Sequence, residues 1–161
     1  MTQYPKWFLP TLLLLLLTVL LSGLGLTPTT LALRAEWDMP WRLAGGDRVW
    51  VAALHSAVAF GLTAMVGALW SVHMRSGWRR RKQRISGVLL GSALALLAAS
   101  AVAVYYIGGD RLAAVAAFLH LGAGLVATAV FVWHWIRGRA SLRTERPHRR
   151  HHRIEHHIRG H

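Results

Sequence analysis

Four apolar blocks without a single Asp, Glu, Lys or Arg dominate this chain, at residues 8–26, 49–72, 85–107 and 112–136. Each reaches or exceeds the run of about 18 apolar residues at which a helix can cross the hydrocarbon of a bilayer. Burying four such helices in a water-soluble core would need far more polar chain than 161 residues leave. Only helices and closed barrels satisfy their own backbone inside lipid, and runs this long with no two-residue alternation argue for helices. The expected fold is therefore all-α, a four-helix transmembrane bundle over residues 1–139. Residues 140–161 follow as a basic tail rich in His and Arg, with too few apolar groups to fold alone.

The charge lies between the blocks. Arg75, Arg79, Arg80, Arg81, Lys82 and Arg84 crowd the link after the second block, and Arg137, Arg139, Arg143, Arg146, Arg149, Arg150, Arg153 and Arg159 follow the fourth. At the other ends of the blocks, Arg34, Arg42, Arg48 and Arg111 are offset by Glu36, Asp38, Asp47 and Asp110. Short basic loops stay cytoplasmic, which places both termini and the 74–84 link on the cytoplasmic side of the membrane, expected to be a bacterial inner membrane. The net charge of +13 is thus a topology signal and a contact for lipid headgroups. No nucleic-acid partner is expected, since these stretches are membrane-proximal flanks and not a basic folded face. Lys6 and the leucines at 12–17 also fit the start of a signal peptide. The best cleavage position, near Ala35, has Leu33 where a small residue is needed, so retention as a first spanning helix is the preferred reading.

The loop at 27–47 carries Trp37 and Trp41 among mixed charges, which suits a segment at the membrane interface. Gly108-Gly109-Asp110-Arg111 reads as a tight turn, making the third and fourth helices antiparallel neighbours. The second and fourth helices then run in the same direction.

Three histidines lie inside the apolar blocks and a fourth, His73, directly follows the second, where ionisable groups are costly and face the bundle interior or a functional site. His55 and His73 stand 18 residues apart at the second block, and His120 and His134 stand 14 apart on the fourth. At about 100° and 1.5 Å per residue, each pair returns to one face of its helix, with rises of about 27 and 21 Å. Co-directional helices align like ends: His55 with His120 at the outer level, His73 with His134 at the inner one. Two imidazoles opposed across a bundle core can supply both axial ligands of a haem iron, so these four residues are the candidate cofactor- and metal-binding residues. The difference of about 6 Å in rise must be taken up by tilt, a kink or an off-centre ligand. Ala59, Leu62, Val66, Ala123, Gly124, Ala127 and Phe131 lie on or beside the stripes, and small residues there serve close helix packing equally well. Arg48, Arg75 and Arg111 sit at block ends where propionates would emerge, or simply set topology. The chain has no cysteine, which excludes thiolate catalysis, cysteine-ligated iron–sulfur clusters and covalently attached c-type haem.

The stretches from His55-Ser56-Ala57 to Trp70-Ser71-Val72-His73, then Ile85-Ser86-Gly87, Tyr105-Tyr106, and His120-Leu121-Gly122 to Trp133-His134-Trp135 resemble the bacterial membrane di-haem cytochromes b. These form the broad grouping of cytochrome b561-like and respiratory cytochrome b subunits. The resemblance covers most of residues 48–139 and rests chiefly on the 14-residue histidine pair. It departs from that grouping in having no histidine on the first helix and 18-residue spacing on the second. It implies two haem b groups, or one if the inner pair is not a ligand pair, and electrons crossing the bilayer between them. A quinol or quinone and other redox subunits of a larger complex are the implied partners, with the chain an electron-transfer subunit and not a stand-alone enzyme. Two rivals stay open: a transporter or proton relay using the same histidines, and a cofactor-free anchor.

Overall fold

A computed structural model describes the backbone of residues 5–69 and 84–158, and the side chains of residues 5–69 and 84–140. Four helices make up the described chain: α1 (Phe8–Ala35), α2 (Gly45–Leu69), α3 (Arg84–Tyr106) and α4 (Asp110–Ile158). Each is long and apolar enough to cross a membrane, α4 through its Asp110–Ala140 part. Large apolar side chains point outward along every one of them, among them Leu14, Phe60, Leu89 and Leu125. A surface of that kind belongs in lipid and would be an aggregation liability in water. The protein is a multi-pass membrane helical bundle.

Two helix boundaries differ from the expectation, each for a local reason. The first helix continues past residue 26 to Ala35, with Pro28 inside it. Pro28 has no N–H to donate, yet a membrane helix tolerates proline where nearby hydroxyls and neighbouring helices stabilise the disturbed turns. Thr27 and Thr30 donate their hydroxyls to the carbonyls of Gly23 and Leu26, both at 3.0 Å. The helix ends only at Glu36, which takes the left-handed conformation at φ 55°. At the other end of the chain, backbone helix runs on through residues 140–158, beyond the boundary expected at 139. Arg139-Ala140-Ser141-Leu142-Arg143 are mostly good helix formers, and the backbone passes through Gly138 before them and Pro147 after them without a break. Gly109, at φ 88°, makes the turn between α3 and α4, and its carbonyl accepts the Ala113 N–H.

The bundle consists of two hairpins. α1 packs on α2, α3 packs on α4, and α1 also packs on α4. Inward positions recur at seven-residue multiples: Phe8, Ser22 and Thr29 on α1 at intervals of 14 and 7, and Ser86, Ala93 and Ser100 on α3 at intervals of 7, are all buried. On α4 the buried positions Ala113, Ala116, Ala123 and Ala127 alternate in steps of three and four around His120. A sevenfold repeat keeps one seam facing its partner, as in left-handed bundles. What the seams bury is small, Ala, Ser and Thr, which allows backbones to approach closely in lipid.

Candidate functional site

All four helices contribute to one layer of the bundle. His55 on α2 and His120 on α4 each stand ten residues after their helix begins, as expected of co-directional neighbours. Their ring centroids are 6.2 Å apart, with planes inclined at 78°. Each ring is bonded to a serine of the helix it packs against. Ser22 of α1 lies 3.0 Å from Nδ1 of His55, and Ser100 of α3 lies 3.0 Å from Nδ1 of His120. Both serines are buried and both histidines half-buried. Gly23 lets the His55 ring lie against α1, since a Cβ there would stand 3.1 Å from His55 Cε1.

With Nδ1 engaged on both rings, Nε2 is the nitrogen left to meet an ion. Metal–imidazole bonds run about 2.0–2.1 Å, and a ring nitrogen lies about 1.2 Å from its ring centre, so two imidazoles on opposite sides of one ion have centroids about 6.4 Å apart. The observed 6.2 Å separation is close to that span, and with the 78° inclination it is equally the geometry of an edge-to-face ring pair. Among the described residues no three His, Cys, Asp or Glu side chains converge. A bare zinc ion wants about four protein ligands, or three in a catalytic site, and this layer offers two. Two axial imidazoles are what a haem iron needs, because the porphyrin supplies the other four nitrogens.

A second Ser–His pair lies farther along α3 and α4. Ser86, with 2% of its surface exposed, is 2.9 Å from Nδ1 of His134. Ser100 and Ser86 are 14 residues apart and so are His120 and His134, so the antiparallel hairpin carries two rungs in one register, separated by about 21 Å of rise. His73, expected opposite His134, lies outside the described residues, as does Arg75. Arg48 is half-buried near the start of α2, and Arg111 is exposed at the start of α4.

The structure therefore brings His55 and His120 together and fixes His134 against Ser86. Ala123 and Ala127 of the expected small-residue stripe are buried, and Gly124 lies against Leu97. Sequence reasoning missed the three serines. A signal was present: serines on α3 and histidines on α4 share the same 14-residue interval. It also missed the Ser56–Tyr105 hydroxyl pair, at 3.0 Å, which links α2 to α3 one residue from the His55 layer.

Comparison of the chain with protein families, with characterised proteins and with solved structures finds no match.

Proposed function

We propose that this chain is an integral-membrane b-type cytochrome that carries electrons across the bilayer. The observation that carries the reading is the His55–His120 pair, two imidazole rings 6.2 Å apart inside the bundle, each with Nδ1 bonded to a serine. These two residues would hold one haem b, toward the periplasmic face. His134, held in the same way by Ser86, would hold a second together with His73, toward the cytoplasm. Bound haem supplies an iron that alternates between ferrous and ferric states, and the protein sets position and potential.

The chain's own residues do the rest. The serines orient the rings, and the buried alanines of α4 let the neighbouring helices close around His120. The apolar helix faces exclude water, and no carboxylate lies within the four apolar blocks to move protons, which weighs against a proton relay. The basic flanks at 74–84 and after 136 support a cytoplasmic placement of both termini, here assigned to a bacterial inner membrane. Electrons would pass between membrane quinone and a redox partner subunit, within a larger respiratory complex.

The test is a reduced-minus-oxidised visible spectrum of the detergent-purified protein from haem-replete cells, with haem counted as pyridine haemochrome. A b-type spectrum is expected. His55→Ala and His120→Ala should each remove one haem per chain, and His134→Ala the other. Colourless wild-type protein overturns the proposal.

A further inference from the structure

We infer that Ser22 and Ser100, and Ser86 at the second rung, are positioning residues that select which imidazole nitrogen meets the metal and set how strongly it donates. The inference rests on the haem reading for its redox half and on hydrogen-bond geometry for the rest.

A serine hydroxyl has one proton and two lone pairs. Ser22 Oγ lies 2.7 Å from the Thr18 carbonyl and 3.1 Å from the Val19 carbonyl, neither of which can donate. The hydroxyl proton is committed there. Toward His55 the oxygen can only accept, so His55 Nδ1 carries the proton and Nε2 the lone pair. Ser100 repeats the arrangement: its proton goes to the Leu97 carbonyl at 3.1 Å, and it accepts from His120 Nδ1. Each helix thus turns a serine into a pure acceptor by back-bonding it to its own preceding turn. Ser86 lies 2.9 Å from His134 Nδ1, a matching contact at the second rung.

Two consequences follow. First, the rings are preset for Nε2 ligation before any metal arrives, which lowers the ordering cost of binding. Second, an Nδ1–H bonded to an acceptor makes imidazole a better donor, favouring the ferric state and lowering the reduction potential. A carboxylate would polarise the ring more strongly but would place a charge deep in the bilayer. Serine provides the acceptor while remaining neutral.

Two experiments test this on the full-length protein. In haem-free protein labelled with ¹⁵N-histidine, NMR should find His55 and His120 as Nδ1–H tautomers, identified by His55→Ala and His120→Ala. Nε2–H tautomers overturn the inference whether or not haem binds. In the haem-loaded protein, Ser22→Ala and Ser100→Ala should raise the midpoint potential and weaken haem retention by about 10–100-fold, the usual cost of losing an outer-shell partner. Ser22→Thr and Ser100→Thr, which keep the hydroxyl, should restore the wild-type potential. An unchanged potential and spectrum in both alanine variants refutes the tuning role while leaving the haem assignment standing. Colourless wild type refutes the haem assignment itself.

Discussion

Gly23 is the position at which the smallest change should reach the histidine layer. In Gly23→Ala the new methyl carbon stands 3.1 Å from His55 Cε1 and 3.6 Å from Nδ1. Carbon–carbon contacts settle at about 3.5–4.0 Å, so the ring must retreat by about 0.4 Å or more. Ser22 already holds that ring at 3.0 Å, and a retreat away from α1 takes the bond to the edge of useful geometry. Losing one neutral hydrogen bond costs about 1 kcal/mol, and forcing a methyl into packed surroundings about 1–3 kcal/mol. Replacing glycine by alanine within a helix returns about 1 kcal/mol. The net loss is about 1–3 kcal/mol of bundle stability, read as a lower melting temperature, and the displaced ring should also retain less haem. Gly25→Ala is the internal control, because nothing lies within 4 Å of a Cβ there. Haem per chain and melting temperature in detergent, measured side by side, read the difference. If Gly23→Ala matches Gly25→Ala in both, the His55 ring is not seated against α1 and the reasoning fails.

Backbone conformation yields two further expectations. Gly109→Ala should destabilise the α3–α4 hairpin by about 1–2 kcal/mol, since φ 88° suits glycine and a Cβ there meets nothing that would compensate. Gly108→Ala, also in open space, should change the melting temperature little; equal effects from the two would refute the strain. Glu36→Gly should stabilise the protein by about 1 kcal/mol, because an exposed glutamate closes α1 at φ 55° where glycine is the preferred residue. A lower melting temperature in that variant would show that the side chain contributes more than the strain costs.

How far the site could be read in advance depended on periodicity. The apolar blocks announce four spans, and the Gly108-Gly109 turn forces α3 and α4 to be antiparallel neighbours. Parallel α2 and α4 then bring His55 and His120 to one depth, and the 6.2 Å ring separation bears out that alignment. The helix ends were less legible. Proline usually stops a helix in water, and Pro28 does not stop α1, where threonine hydroxyls brace the turns around it. Composition marked residues 140–161 as a separate tail, yet the backbone stays helical to Ile158, Pro147 included.

Hydropathy and spacing within the chain determine that it forms membrane helices and which face of each carries histidine, because both follow from local residue order and the 3.6-residue turn. Which serine meets which ring depended on register between helices far apart in sequence. Ser22 reaches His55 across 33 residues and Ser86 reaches His134 across 48. That register is set by how small side chains let the hairpins close on one another, a property of packed surfaces and not of any single segment. Only the assembled bundle therefore decides that Nδ1 is held and Nε2 is left to bind.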